Sequence, residues 1–171
     1  MIIDLAGVTS TPRPLAADIE GARIDLGHEG CVAGTAHFEG ELFRDGSKAH
    51  LRGTVTAEVE LQCTRCGEAL TRSLEIPFED VFVDASEETT DEDHEIGGGE
   101  LDEQLVESSQ VDLTDIVREQ ILLDLPEQVF CKEDCQGLCP QCGTNLNTTD
   151  CDCSEEDIDP RWAALKDLSK R

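Results

Sequence analysis

The chain has 171 residues, enough for one domain of ordinary size, and its 38% hydrophobic content supports a modest core. With 39 acidic and 13 basic side chains the net charge is -26, and a surface this negative repels phosphate, which argues against binding nucleic acid over a broad face. The opening MIIDLAGVTSTPRPL has no basic start, and no stretch approaches 18 apolar residues. We therefore expect a cytoplasmic protein that makes no membrane contact.

Alternating strands dominate the first half of the chain. The first 30 residues are mixed, and regular alternation of apolar and polar residues begins at Val32 and continues to residue 42. A second alternating run covers residues 51–61, after a turn signal that contains Asp45-Gly46. Two such runs joined by Asp-Gly predict a β-hairpin. A third run covers residues 69–78, so residues 1–83 are predicted to form a β-rich region.

An acidic segment and a helix follow the strands. Residues 84–110 lose periodicity and are rich in Asp, Glu and Gly, which predicts an acidic mobile linker. Asp112 has the features of a helix N-cap, with an acid at Asp115 as in a capping box. Apolar residues then recur at helical spacing, which predicts a helix over residues 113–124 that ends before Pro126.

The third predicted region, residues 111–171, contains this helix, most of the cysteines and a short terminal helix that begins at Asp159-Pro160. Six of the nine cysteines lie between residues 131 and 153 and form three close pairs. The middle pair reads Cys-Pro-Gln-Cys-Gly, in which one tight turn presents both sulfurs to a single ion and Gly143 permits positive φ. In a chain without a secretion signal, such pairs favour a metal over disulfides. We predict one zinc ion, bound first by Cys139, Cys142, Cys151 and Cys153, with Cys131 and Cys135 as alternates.

A separate Cys-x-x-Cys pair, Cys63 and Cys66, lies between the second and third predicted strands. Three interpretations compete: half of a second metal site, a redox pair, or a structural turn whose small thiols pack locally. A redox-active Cys-x-x-Cys pair typically lies at the N-terminus of a helix that follows a strand, whereas the residues on both sides of Cys63 and Cys66 are predicted to be strands. The structural turn is therefore favoured.

The predicted hairpin is the least acidic part of the chain. Five basic and four acidic residues lie between residues 43 and 72. If the protein contacts RNA or a partner through a local basic patch, Arg52, Arg65 and Arg72 are the candidates.

Several ordered motifs resemble the YceD-type family, which is named for accumulation of the large ribosomal RNA subunit. They are Cys-Thr-Arg-Cys-Gly after a strand, the helical VREQILL of residues 117–123, and CQGLCPQCG at residues 135–143 followed by Asn145-Leu146-Asn147, Cys-Asp-Cys and Asp-Pro-Arg-Trp. The resemblance covers residues 30–171. It implies a role in producing, processing or assembling large-subunit ribosomal RNA and supplies no known catalytic reaction. Family members differ in whether they carry the C-terminal cysteines, which implies that zinc stabilises this version and is not itself the activity.

The predicted fold class is α+β, an antiparallel β-rich domain with one long helix and a small zinc-knuckle segment. The predicted function is a non-enzymatic factor whose partners are a ribosomal RNA precursor or large-subunit assembly proteins, with no small-molecule substrate. A zinc-thiolate redox regulator that binds a protein partner is the alternative. An enzyme is disfavoured because a four-thiolate zinc site is closed and leaves no position for a reactive water molecule. In addition, the four histidines are scattered and have neither catalytic nor ligand spacing: His28, His37, His50 and His94.

Overall fold

The computed structural model describes residues 1–27, 31–85 and 102–153. This part of the chain forms a five-stranded sheet in the order β2-β3-β4-β5-β6 and a two-stranded pairing of β1 with β7. The elements are β1 (Ile2–Asp4), β2 (Arg13–Ile19), β3 (Val32–Asp45), β4 (Lys48–Gln62), β5 (Ala69–Asp84), β6 (Glu103–Val106), β7 (Gln110–Asp112) and α1 (Leu113–Asp124). The predicted α+β class, with an antiparallel β-rich domain, one helix and a C-terminal cysteine cluster, is confirmed.

The predicted hairpin is confirmed as β3 and β4, which pair antiparallel through a turn where Gly46 has φ of +60°. The third strand is also present, although β5 continues to Asp84, beyond the predicted end at residue 78. Alternation places one set of side chains on an inner face, where Phe38, Leu51 and Val55 are fully buried. The hairpin and β5 therefore form the centre of the sheet.

Helix α1 covers the inner face of the sheet and matches its predicted bounds. The Asp112 carboxylate accepts a hydrogen bond from the Thr114 amide at 2.8 Å, which confirms it as the N-cap. Leu113, Val117 and Ile121 are fully buried in the same core as the inner-face residues of the sheet. Within the described residues, no helix has the length and apolar character needed to cross a membrane.

Four short strands are present that the alternation pattern does not predict. β2 carries Pro14, which an edge strand tolerates because one side of its backbone needs no ladder hydrogen bond. β6 lies inside residues 84–110, where the composition predicts a mobile linker, and it pairs in parallel with the end of β5. β7 begins at Gln110, the last residue of that predicted linker. Residues 86–101 of that linker and the terminal helix predicted from Asp159 lie outside the described residues.

Candidate metal centres

The turn after β4 folds Cys63 and Cys66 into a compact loop. The Gly67 amide donates to the Cys63 carbonyl and the Cys63 amide donates to the Glu68 carbonyl, both at 2.8 Å. Gly67 has φ of +74°, a backbone conformation that glycine adopts without steric cost. The chain reverses beneath the two sulfurs, so both thiols point to the same side.

A second turn of the same form lies at Cys139 and Cys142. The Gly143 amide donates to the Cys139 carbonyl at 2.9 Å, and the Cys139 amide donates to the Thr144 carbonyl at 2.8 Å. Gly143 also has φ of +74°. Both turns therefore share the Cys-x-x-Cys-Gly sequence, the hydrogen-bond pattern and the glycine conformation.

Two groups of four cysteines form around these turns, and in each group the four sulfur atoms lie within 4.8 Å of one another. We call them the sheet-end site, which contains Cys63, Cys66, Cys131 and Cys135, and the C-terminal site, which contains Cys139, Cys142, Cys151 and Cys153. Each group could bind a metal ion. The C-terminal site consists of the four ligands predicted first.

The alternates are in the other group. Cys131 and Cys135, predicted as substitutes within a single zinc site, lie instead with Cys63 and Cys66. The first turn thus has a strand-to-strand position, as predicted, and its thiols also contact cysteines far along the chain. One signal in the sequence indicates that the two Cys-x-x-Cys pairs form turns of the same kind: a glycine follows the second cysteine in both.

Polar contacts fasten the sheet-end site to the segment after α1. Both the amide and the hydroxyl of Thr64 donate to the Val129 carbonyl, at 2.8 and 3.0 Å. The Arg65 guanidinium lies 4.1 Å from the centre of the Phe130 ring and donates to the Cys135 carbonyl at 3.0 Å. Arg65 is therefore part of the structure of the site.

The surroundings of the thiols raise the pKa of some and lower the pKa of others. Burial raises the pKa of Cys63, but hydrogen bonds from backbone amides, beginning with that of Cys131, outweigh it and lower that pKa to about 6. Burial and the neighbouring Cys135 thiol raise the pKa of Cys131. In the C-terminal site, hydrogen bonds from the side chain and backbone of Thr144 lower the pKa of Cys142 to about 6. Without metal, each group therefore contains at least one thiol that ionises readily.

The two sites differ in accessibility. In the sheet-end site Cys63, Cys66 and Cys135 are buried, at 3%, 7% and 4% exposure. In the C-terminal site Cys139 is buried, whereas Cys142 is exposed and its sulfur lies 3.2 Å from the Thr144 hydroxyl oxygen. Solvent and reagents therefore reach the C-terminal site first.

The three candidate arginines do not form one surface. Arg52 lies on the outer face of the sheet, 5.1 Å from the centre of the Phe43 ring and paired with Glu41. Arg65 is held at the sheet end, as described above. Arg72 is exposed and aligns with Val59, on the face that α1 covers.

The outer face around Arg52 is acidic. Arg52 aligns with Glu41 on β3 and Glu79 on β5, and the next rows of the sheet add further carboxylates. The acids that the strand register places on this face are Asp18, Glu39, Glu41, Asp45, Glu58, Glu60, Glu75, Glu79 and Glu103. The outer face of the sheet therefore presents a negative surface, although residues 43–72 are nearly neutral in composition.

Comparison with known proteins gives the family. Residues 51–169 match the family model described as large ribosomal RNA subunit accumulation protein YceD. The chain belongs to the YceD family. The matched region includes both four-cysteine sites and α1, whereas β1 to β3 lie before it.

The YceD relatives include bacterial and plant proteins. The chain is 34% identical to the uncharacterized protein Rv2926c of Mycobacterium tuberculosis (strain ATCC 25618 / H37Rv), over 68% of this chain and 53% of that protein. It is 31% identical to the uncharacterized protein YlbN of Bacillus subtilis (strain 168), over 69% of this chain and 64% of that protein. It is 27% identical to the large ribosomal RNA subunit accumulation protein YCED homolog 1, chloroplastic, of Arabidopsis thaliana, over 77% of this chain and 47% of that protein.

The chain spans about half the length of most of these curated relatives. No solved structure matches it.

Proposed function

We propose that this YceD-family chain is a non-enzymatic cytoplasmic factor that supports the accumulation or processing of large-subunit ribosomal RNA and the assembly of that subunit. The observation that carries the proposal is the match over residues 51–169 to a family described by large ribosomal RNA subunit accumulation. The name of the Arabidopsis relative, a large ribosomal RNA subunit accumulation protein homolog, supports the same role. Because the relatives are longer, the proposal concerns the region that they share with this chain.

The proposal gives the C-terminal site a structural zinc ion. Four cysteine sulfurs within 4.8 Å of one another match the thiolate set that tetrahedral zinc prefers. Such an ion has all four positions filled by protein, so none is left for a reactive water molecule. Residues 136–153 include no helix or named strand, and an ion would supply the stability that a hydrophobic core gives elsewhere.

A basic assembly protein is the partner that the surface charges favour. The outer sheet face carries nine carboxylates, and carboxylates repel the phosphates of RNA but attract Lys and Arg side chains. Among the three candidate arginines, Arg72 is exposed and no ion pair joins it to an acid in the described part of the chain, so it is the candidate for direct RNA contact. These two modes of contact predict opposite mutational results.

The role is tested by removing the protein from its host. We expect the amount of large-subunit ribosomal RNA to fall relative to the small-subunit species, and an intact copy of the gene to restore it. Unchanged RNA ratios under conditions that demand rapid ribosome production would contradict the proposed function.

The mode of contact is tested with two folded variants in the same cells. Glu39→Gln with Glu58→Gln and Glu75→Gln removes three of the nine carboxylates of the outer face, and we expect it to lower association with large-subunit precursor particles at low salt. Arg72→Glu is expected to leave association unchanged. The reverse result would indicate direct contact with RNA. Arg65→Glu is not a suitable test of RNA contact, because it would also remove the contact of Arg65 with the Phe130 ring and its hydrogen bond to the Cys135 carbonyl.

A redox-responsive regulator is the second candidate, and the exposure of Cys142 favours it. Hydrogen peroxide would oxidise two thiolates of the C-terminal site to a disulfide and, with two protons from solvent, be reduced to two water molecules. The site would then lack two of its thiolate ligands and release the zinc ion. Zinc release and partner association are measured together during peroxide titration. A loss of association in step with zinc release supports regulation, whereas zinc loss without any change in association leaves zinc with a structural role alone.

A further inference from the structure

We propose that the sheet-end site binds a second zinc ion, which fastens the segment after α1 to the end of the sheet. The sequence pattern predicts one ion and favours a structural turn at Cys63 and Cys66, so this ion is additional. Its ligands come from two parts of the chain: Cys63 and Cys135 are 72 residues apart, and Cys66 and Cys131 are 65 residues apart.

The sulfur positions fit tetrahedral zinc. Four thiolates at about 2.3 Å from one ion have sulfur atoms roughly 3.8 Å apart. The Cys63 and Cys135 sulfurs are 3.7 Å apart, and the Cys66 and Cys131 sulfurs are 3.6 Å apart. All four also lie within 4.8 Å of one another, so they form one set around a common centre and not two separate pairs.

The surroundings of the site support an ion that is closed off from water. Cys63, Cys66 and Cys135 form a small buried cluster of their own, against which Leu70 and Phe130 pack. The Asn147 side-chain amide donates to the Cys135 sulfur at 3.3 Å. A hydrogen bond of this kind stabilises the negative charge on a metal-bound thiolate and holds the ligand in place.

The backbone shows what the ion would fasten. Thr64 binds Val129 by two hydrogen bonds, and the Leu138 amide donates to the Arg65 carbonyl at 3.1 Å. Gly137 passes so close that an added Cβ would lie 3.1 Å from that same carbonyl oxygen. Leu138 immediately precedes Cys139, so the first ligand of the C-terminal site is positioned by the sheet-end turn. The sheet-end site therefore supports the C-terminal site.

Zinc content per chain tests the proposal. Protein is purified under reducing conditions without added metal, and we expect two zinc ions per chain. Cys63→Ser with Cys66→Ser should lower the content by at least one ion, and Cys139→Ser with Cys142→Ser should leave one. Cys31 lies outside both groups, so Cys31→Ser is the matched control and should retain two.

The remaining ion must also be located. In the Cys139→Ser/Cys142→Ser variant, the four sheet-end thiols should resist alkylation until a chelator is added, as mapped by mass spectrometry. A cobalt titration of the metal-free wild-type chain gives an answer even if the Cys63→Ser/Cys66→Ser variant fails to fold. Thiolate-to-cobalt absorption should rise up to two equivalents.

Three outcomes would overturn the proposal: saturation at one equivalent of cobalt, one zinc ion whose amount is unchanged in the folded Cys63→Ser/Cys66→Ser variant, or a disulfide within the sheet-end site of the purified protein. None of these outcomes bears on the ribosomal RNA ratio, so failure of this inference and failure of the proposed function are distinguishable.

Discussion

Asp80 is a charged residue that the sheet buries against α1. Its exposure is 9%, and it lies on the inner face of β5, where the strand aligns it with Leu51. The Gln120 side-chain amide lies 3.4 Å from the carboxylate, which is a long hydrogen bond. Burial, and then the neighbouring Glu119 carboxylate, raise the pKa of Asp80, because both disfavour the charged form.

We expect Asp80→Asn to increase the free energy of unfolding at neutral pH. A carboxyl group whose pKa is raised by folding destabilises the folded state at pH values above its folded pKa. That cost disappears as the pH falls below its unfolded pKa. The gain of the variant over the wild type should therefore be largest at neutral pH and shrink in acid. Denaturant unfolding at several pH values measures it.

Glu75→Gln is the matched control for this experiment, because Glu75 is an exposed acid on the outer face of the same strand. A gain of equal size in this variant, or a gain from Asp80→Asn that does not depend on pH, would indicate a general effect of net charge and contradict the burial argument.

At the scale of elements, β3 and β4 approach each other where two glycines face across the pair. Gly40 aligns with Gly53, and the Phe38 ring lies over both. A Cβ on Gly53 would lie 2.5 Å from the Glu39 carbonyl oxygen and 2.7 Å from the Phe38 ring. The two glycines thus leave room for an aromatic ring that is itself fully buried and packs 5.7 Å from the Phe78 ring.

Gly53→Ala should reduce the free energy of unfolding by roughly 1–3 kcal/mol, the usual cost of forcing an extra carbon into a packed interior. Thermal or denaturant unfolding measures the loss. Gly7→Ala is the control, because apart from its two chain neighbours no residue has an atom within 4 Å of a Cβ at that position. Equal stability of the two variants would contradict the close approach of the strands.

The elements that the sequence predicts are those specified by local pattern. The β3–β4 hairpin has alternation and an Asp-Gly turn, and α1 has a capping residue and helical spacing, so each is determined by neighbouring residues. β2 and β6 depend on partners. The backbone hydrogen bonds of β2 are made with β3. The sequence of β6 alternates so weakly between buried and exposed residues that it differs little from that of a polar loop. Such strands follow from tertiary pairing, which alternation alone does not encode.

The candidate sites divide in the same way. Cys139, Cys142, Cys151 and Cys153 are close in sequence, and their spacing is enough to group them. The sheet-end site joins cysteines that are 65 or more residues apart, so only the fold brings them together. The acidic outer face likewise depends on the fold, because strand pairing brings Glu39 and Glu75 to the same side of the sheet as Glu58. The nearly neutral count over residues 43–72 includes only Glu58 of these three acids.

At the scale of the whole molecule, the buried apolar residues in the described part of the chain form two clusters. The main core contains the inner face of the sheet and α1. The second contains Cys63, Cys66 and Cys135, with Leu70, Phe130 and Cys131 packed against them. The second cluster has few apolar side chains, so its stability depends on what the thiols bind.

Chelation should therefore unfold one part of the chain and leave the other. After zinc removal under reducing conditions, we expect the amides of residues 129–153 to lose protection from hydrogen exchange. The amides of β3, β4 and α1 should keep most of theirs, because Phe38, Val55 and Val117 are fully buried in the main core, which includes no cysteine of either group. Hydrogen exchange followed by mass spectrometry, with and without chelator, resolves the two parts.

Readdition of zinc should restore protection, whereas addition of magnesium, which prefers oxygen ligands, should not. Uniform loss of protection across β3, β4 and α1 would show that the main core itself depends on the metal, and unchanged protection at residues 129–153 would show that the thiols hold their segment without one.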